Sequence, residues 1–210
     1  PEGPPRGGRG GVWWGWGRSV GGEARRAAAP PLPGELCGAR LSINGRRLPL
    51  LYASPTQINA QLPFDAAGQV SLRISTANGA TEVPLAVSET APAIFSPGVT
   101  HADGRLAGPE APVATGAWLS VWMTGLGRVE GGAGTGEAAP AGQLLRAAAP
   151  VLVEFGGRTV IPAFAGLAPG AVGLFQVVFQ APADMPEGTH RLRITAGGAA
   201  SNETAVPVRR

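Results

Sequence analysis

The chain contains no lysine, because all 17 of its basic residues are arginines. Phosphate-binding loops of the Walker type and enzymes that form a Schiff base depend on a lysine, so both classes are excluded. The single cysteine, Cys37, excludes an internal disulfide and a zinc site built from several cysteines. The two histidines are far apart in the sequence, so we expect neither a histidine-rich metal site nor a cofactor.

Most of the chain also has little net charge, although the formal net charge of the whole chain is +3. Between residues 36 and 210, twelve arginines stand against eleven acidic residues. Nucleic-acid binding requires a concentrated basic face, which this nearly balanced region lacks. No apolar run reaches the roughly 18 residues from which a membrane-spanning helix is recognised. We therefore expect neither a nucleic-acid partner nor a membrane span.

Glycine and proline are abundant, with 33 and 21 residues respectively, and long helices tolerate neither. From about residue 36, short strand-like runs alternate with turns. Asn44-Gly45 and Asn78-Gly79 each separate two apolar runs, which is a strong local indication of a β-hairpin. Because 44% of the residues are hydrophobic, the chain is too apolar to be disordered, and we predict an all-β fold with a packed core.

Parts of the sequence recur about 120 positions apart. The segment QINAQLP at 57–63 resembles QVVFQAP at 176–182, and the LRI of 72–74 recurs at 192–194. The hairpin turns recur in the same order as these segments. Two copies of one β unit explain this recurrence better than chance does.

We predict two tandem immunoglobulin-like β-sandwich domains. The second domain has a clear first strand at 117–124, whereas 12–17 is a weak substitute in the first, which we expect to be truncated. The Gly-, Pro-, Arg- and Trp-rich start of the chain is interpreted as disordered, low-complexity or misframed, with an RNA-binding segment of the Arg-Gly-Gly type as the alternative. The predicted boundaries are 1–30 for this segment, 31–90 for the first domain, 91–115 for a connector and 116–210 for the second domain.

The segment LPLLYASPTQINAQLP at 48–63 resembles the PLLYVSPTQINFQVP signature of the uncharacterised Solibacter-type C-terminal domain. APAIF at 91–95, TGLG at 124–127 and SNETAVPV at 201–208 follow in that family's order, so the resemblance covers roughly residues 31 to 210. It implies a C-terminal module of large secreted or cell-surface proteins of acidobacteria, similar to tandem immunoglobulin-like (IPT/TIG-type) domains. It implies no activity and no functional residues.

The strand at 118–124 is the clearest candidate for a binding surface. Alternate residues of a strand share a face, so Trp118, Ser120, Trp122 and Thr124 lie opposite the apolar set of Leu119, Val121 and Met123. If the apolar set faces the core, Trp118 and Trp122 form an outward platform for a sugar or a partner protein. The alternative, which we favour, is that other parts of the chain cover both tryptophans.

The turn at 164–170 adds about seven residues relative to the first copy, and long loops at the end of a sandwich often carry recognition. Phe164 and Leu167 are therefore further candidates for ligand or partner contact. We favour the alternative that both residues plug the core. His101 with Asp103, and Asp184 with Glu187, are considered as metal ligands or acid–base pairs, but their Gly- and Pro-rich surroundings indicate ordinary turns.

These observations favour a non-catalytic C-terminal module of a larger secreted or cell-surface bacterial protein. Its expected role is that of a spacer, a surface-retention module or a protein–protein contact, with other domains of the same protein or cell-surface components as partners. The first alternative is a carbohydrate-binding accessory module that uses Trp118 and Trp122 to bind polysaccharide. The second is an appendage of a secreted enzyme that lies elsewhere in the same protein.

Overall fold

A computed structural model describes residues 6–16 and 23–209 of the chain. The regular secondary structure of these residues consists of β-strands arranged in four sheets. The described residues contain no helix that could span a membrane. Each pair of sheets encloses one hydrophobic cluster, so the fold is all-β with two immunoglobulin-like sandwiches in tandem, as predicted.

The first sandwich consists of a five-stranded sheet in the order β1-β9-β8-β4-β5 and a four-stranded sheet in the order β2-β7-β6-β3. The bounds of its strands are β1 Arg6–Gly8, β2 Val12–Trp16, β3 Arg25–Arg26, β4 Arg40–Ile43, β5 Arg46–Arg47, β6 Leu50–Ala53, β7 Gln57–Gln61, β8 Gly68–Thr76 and β9 Gly79–Ser88.

The second sandwich consists of a four-stranded sheet in the order β10-β12-β16-β15 and a six-stranded sheet in the order β11-β19-β17-β13-β14, in which β18 also pairs with β17. The bounds of its strands are β10 Ala93–His101, β11 Val113–Ala114, β12 Trp118–Thr124, β13 Val151–Phe155, β14 Arg158–Val160, β15 Phe164–Leu167, β16 Phe175–Gln180, β17 Gly188–Ala196, β18 Ala199–Ala200 and β19 Thr204–Arg209.

Both predicted hairpins are present. Asn44 and Gly45 connect β4 to β5 with φ angles of 49° and 79°. A type I′ turn requires positive φ at both central positions, and asparagine and glycine accept this at the lowest steric cost. Asn78 lies in the turn that joins β8 to β9, where the two strands pair over their full length.

Residues 6–16 are ordered parts of the first sandwich, which corrects for these residues the prediction that 1–30 is disordered. Strand β2 pairs with β7 over five residues. Trp13 is only 7% exposed and belongs to the core cluster of the first domain. Strand β2 occupies the place beside β7 that β12 occupies beside β16, so it supplies the first strand that the sequence predicts only weakly. Residues 1–5 and 17–22 lie outside the described residues.

The segment predicted as a connector, 91–115, contributes two strands to the second sandwich. Strand β10 pairs with β12, and its Ile94 and Val99 are buried in the second core. Strand β11 pairs in parallel with β19. Apolar side chains at the start of this segment pack into the second core. The segment is therefore part of the sandwich and not an open linker.

Buried hydrogen bonds join the two sandwiches. The Thr124 hydroxyl accepts from the Val12 backbone N–H at 2.7 Å and donates to the Gly173 carbonyl at 3.1 Å. The buried Gln61 side chain donates to the Gly10 carbonyl at 3.0 Å and accepts from the Gly136 N–H at 2.6 Å. These bonds tie β2 and β7 of the first domain to the second domain.

Candidate functional site

Strand β12 presents two chemically different faces. Leu119, Val121 and Met123 are almost completely buried in the second core, whereas Trp118 and Trp122 point to the opposite side. The predicted division of this strand into an apolar inner face and a Trp-Ser-Trp outer face is therefore confirmed. Thr124 is the exception on the outer face, because the contact with the first domain buries it.

Each outward tryptophan of β12 lies directly opposite a glutamine of β16. Trp118 pairs with Gln180, and Trp122 pairs with Gln176. Side chains directly opposite each other in an antiparallel pair have Cβ atoms roughly 5 Å apart and lie on the same face. The sheet thus places an indole ring and a carboxamide side by side at two positions of this face, with the pair of Ser120 and Val178 between them.

Hydrogen bonds hold the polar groups of this face in place. Gln176 donates through Nε2 to the Ser120 hydroxyl at 3.0 Å. Gln180 donates through Nε2 to the Gly116 carbonyl at 2.8 Å. The Trp122 indole Nε1 donates to the Thr100 hydroxyl at 3.0 Å. Both glutamines use a donor in this way, so their carbonyl oxygens are oriented by the protein.

A shallow pocket adjoins Trp118, which is 47% exposed. The pocket has a volume of about 380 Å³ and combines the indole and the Gln180 amide with apolar side chains, including the strongly exposed Ile161. Pockets that bind small neutral molecules combine apolar walls with a few oriented polar groups. This pocket has that composition, and none of its lining residues is charged.

The carboxylates with shifted pKa values lie in ion pairs outside this face. Glu154 of β13 accepts a 2.6 Å hydrogen bond from Arg193 of β17, which lowers the pKa of that carboxyl below its ordinary value. Arg158 lowers the pKa of Asp184 in the same way. General acid–base catalysis near neutral pH uses a carboxyl whose pKa is raised, so these ion-paired groups are poorly suited to it.

Phe164 and Leu167 are not available for contact, because both are buried. The segment that contains them is strand β15, paired with β16, and not a projecting loop. The Arg146 guanidinium lies 5.5 Å from the centroid of the Phe164 ring. Leu167 belongs to the second core cluster, so the predicted alternative of a core plug describes it. Phe164 is buried outside that cluster, and the candidate site is limited to the tryptophan face.

The other candidate groups have local structural roles. The His101 ring bonds the Ala111 carbonyl at 3.0 Å, while Asp103 accepts two hydrogen bonds from Arg105. Asp184 is paired with Arg158. Among residues 6–16 and 23–209, no group of three or more His, Cys, Asp or Glu side chains is placed to hold a metal ion.

A second pair of exposed tryptophans was not predicted as a site. Trp14 and Trp16 lie on the outer face of β2, opposite Asn59 and Gln57 of β7. In the sequence Trp-Trp-Gly-Trp at 13–16, side chains alternate between two faces as in a strand. Trp13 is on one face, and Trp14 and Trp16 are on the other. The surrounding glycines and arginines obscured that pattern in the sequence.

Comparison with protein-family models gives no match, and neither does comparison with curated proteins. Among solved structures, the chain is similar to the SGBP-B protein of the mixed-linkage glucan utilization locus of Bacteroides ovatus, with a TM-score of 0.35 and 11% identity. It is also similar to the surface glycan-binding protein PbSGBP-B of Prevotella bryantii, with a TM-score of 0.31 and 11% identity. A third similar structure is the titin tandem A164–A165, with a TM-score of 0.25 and 9% identity.

The alignments cover 89%, 97% and 97% of this chain and 46%, 37% and 90% of the three structures respectively. The chain thus spans less than half the length of the two bacterial proteins. TM-scores in this range describe a loose likeness in the arrangement of strands, and they assign no ligand to this chain.

Proposed function

We propose that this chain is a non-catalytic module that binds neutral polysaccharide through the outer face of the four-stranded sheet of its second domain. The observation that carries the proposal is the exposed Trp118 indole, placed directly opposite Gln180 at the mouth of an uncharged pocket. Trp122 and Gln176 repeat the same pairing four residues away along each strand.

The chemistry of this pairing suits a sugar ring. An aromatic face is a large apolar surface that packs against the C–H face of a pyranose, while oriented carboxamides exchange hydrogen bonds with its hydroxyls. A charged ligand would leave its charge without a partner in this pocket. The hypothesis of a polysaccharide-binding accessory module therefore has more structural support than a contact with a charged protein surface.

The wider setting belongs to the same proposal. The resemblance to the Solibacter-type C-terminal domain supports a module of a larger exported or cell-surface bacterial protein, in which polysaccharide binding would provide surface retention. A spacer role is the second candidate, and the buried hydrogen bonds of Gln61 and Thr124 between the sandwiches favour it. A rigid two-domain unit holds a bound polymer at a fixed distance from the rest of the protein, so the two roles are compatible.

The test is affinity electrophoresis of the chain in gels that contain hydroxyethylcellulose, glucomannan, arabinoxylan or soluble starch. We expect at least one polymer to retard the wild-type protein and Trp118→Ala to lose most of that retardation. The control is Leu152→Ala, which removes an exposed apolar side chain from a strand of the other sheet. Equal retardation of wild type and Trp118→Ala would exclude this face as the binding site.

A further inference from the structure

We infer that the first domain carries a second polysaccharide-stacking face, formed by Trp14, Trp16 and Tyr52, and that it binds the same polymer as the face of the second domain. The ligand class rests on the proposed function, whereas the existence of the face rests on the first domain alone. Below, these three residues together with Gln57 and Asn59 are called the first-domain face.

The two tryptophans are exposed because the strand that carries them turns only one side to the core. Trp13 is buried among the core residues, whereas Trp14 is 41% exposed and Trp16 is 72% exposed. Successive residues of a strand point to opposite faces, so Trp14 and Trp16 lie on one side, roughly 7 Å apart along the strand. Two large apolar rings held in a row on a rigid sheet form a platform and not a scattered pair of exposed side chains.

Each of these tryptophans also lies opposite a carboxamide. Trp14 pairs with Asn59 and Trp16 pairs with Gln57. Gln57 donates through Nε2 to the Asn59 side-chain oxygen at 2.7 Å, so the two amides hold each other in place. All four exposed or half-buried tryptophans on the outer faces of the two four-stranded sheets thus have an amide partner across the strand pair. The two tryptophans are two residues apart on β2 and four residues apart on β12.

Tyr52 extends the first-domain face onto the next strand. It lies opposite Asn59 in the pairing of β6 with β7, so its ring is on the same side as the tryptophans. The Arg26 guanidinium lies over this ring, 5.9 Å from its centroid, and brings one positive charge to the edge of the face. The residues of this face contribute two indoles, a phenol and two carboxamides, and none of them has a carboxylate.

The first-domain face adjoins the site of the second domain. The Trp14 ring lies 6.4 Å, centroid to centroid, from the ring of Phe95 on β10, which is the strand next to β12. A cavity of about 280 Å³ at the same junction is lined by Val12, Trp14, Ala93 and Thr124, among others. The hydrogen bond from Val12 to Thr124 fixes this junction. One extended polymer could therefore contact both faces at once.

The occupant that fits these residues is a neutral polysaccharide and not a second copy of the chain. The buried core of a stable subunit interface is more apolar than the rest of the protein surface and is depleted of charged residues. On the first-domain face, each indole is instead next to an oriented carboxamide. Alternation of rings and amides matches a ligand that presents apolar C–H patches and hydroxyls in turn.

The experiment compares the wild type with Trp16→Ala, Trp118→Ala and the double variant in the full chain, by the gel assay above and by calorimetric titration with the polymer that retards the wild type most. We expect each single variant to bind about tenfold more weakly, as for truncation of an aromatic contact residue. We expect the double variant to lose measurable binding, because two linked sites strengthen each other. Leu144→Ala, which removes an exposed apolar side chain elsewhere, is the control.

Gln57→Leu provides a second variant that keeps the tryptophans and removes the amide, and it should also weaken binding. If Trp118→Ala weakens binding while Trp16→Ala and Gln57→Leu do not, the first-domain face is refuted and the proposed function stands. If only the first-domain variants weaken binding, the first-domain face stands as a polysaccharide site, whereas the site in the second domain and the binding of one polymer by both faces are refuted. Wild-type protein that binds none of the polymers overturns both. Sedimentation provides the remaining outcome. If the wild type is a dimer that Trp16→Ala dissociates, and the polymer retards both proteins equally, the face serves self-association and the inference is refuted.

Discussion

The two tryptophans of β12 have different surroundings, although both lie on the outer face. Trp118 is about half exposed and borders a pocket, whereas Trp122 is partly buried and donates its indole N–H to the Thr100 hydroxyl. Truncation of a partly buried tryptophan removes apolar contacts and leaves the buried Thr100 hydroxyl without that donor. The two residues should therefore differ in their effect on folding.

We predict that Trp122→Ala lowers the free energy of unfolding by about 2 kcal/mol, and that Trp118→Ala changes it by less than about 1 kcal/mol. Urea unfolding followed by circular dichroism measures both. Trp122→Phe, which keeps most of the apolar contacts, should fall between the wild type and Trp122→Ala. A larger loss in Trp118→Ala than in Trp122→Ala would contradict the packing described above.

Hairpin turns are the elements that restrict the backbone conformation of single residues most strongly. Gly45 has a φ of 79°, and nothing lies within 4 Å of the position that its Cβ would occupy. The cost of a side chain there is therefore conformational and not steric. We expect Gly45→Ala to destabilise the protein by about 1 kcal/mol in urea unfolding.

Gly142 is the matched control, because a Cβ there also meets open space and its φ is not in the positive range. Gly142→Ala should leave stability unchanged or raise it by a few tenths of a kcal/mol through the unfolded chain. Equal losses in Gly45→Ala and Gly142→Ala would show that the positive φ is not what makes the hairpin position sensitive.

The ion pair between β13 and β17 is an element-scale contact that depends on pH. Glu154 lies directly opposite Arg193, whose hydrogen bond lowers the pKa of the Glu154 carboxyl in the folded state. A depressed folded pKa means that this contribution to stability is present above the unfolded pKa of glutamate and is lost as the pH falls through the folded pKa.

We predict that the wild type is more stable than Glu154→Gln at neutral pH and that this difference shrinks as the pH is lowered below about 4. Urea unfolding of both proteins over a series of pH values measures the difference. Asp65→Asn, which removes an exposed carboxylate paired with Arg46, serves as a surface control. A difference that stays constant across the acidic range would contradict the role given to Glu154.

At the scale of the whole molecule, the junction between the sandwiches determines whether the two tryptophan faces act together. Gln61 is buried there and uses both ends of its amide, one toward Gly10 and one toward Gly136. Leucine is similar in size but satisfies neither backbone group, and an unsatisfied buried polar group costs about 1–3 kcal/mol.

We expect Gln61→Leu to destabilise the protein by that amount and to weaken binding of long polymers more than binding of short oligosaccharides. Urea unfolding and calorimetric titration with polymer and oligosaccharide measure the two effects. Gln69→Leu, at an exposed glutamine of β8, is the control for the change of residue type. If Gln61→Leu weakened short and long ligands equally, the junction would not couple the two faces.

The alternation of Leu119, Val121 and Met123 with Trp118 and Trp122 is a local property of the chain, so the inward face of β12 follows from the order of its residues. The same holds for the Asn44-Gly45 hairpin, because its type I′ turn depends on the φ preferences of two residues. In the second hairpin the turn residues are Ala77 and Asn78, since Gly79 already pairs with Thr76. The all-β class follows from these patterns and from the abundance of glycine and proline.

Which aromatic side chains are accessible depends on contacts between parts of the chain that are separate in the sequence. Phe164 and Leu167 are covered where β15 pairs with the neighbouring strand β16, and the Arg146 guanidinium lies over the Phe164 ring. Trp14 and Trp16 are exposed on β2, which pairs with β7 more than forty residues away. The same long-range pairing made residues 12–16 a strand of the first sandwich and placed 93–101 in the second. Burial depends on which surfaces meet across the chain, and that information is not contained in the local spacing of apolar and polar residues.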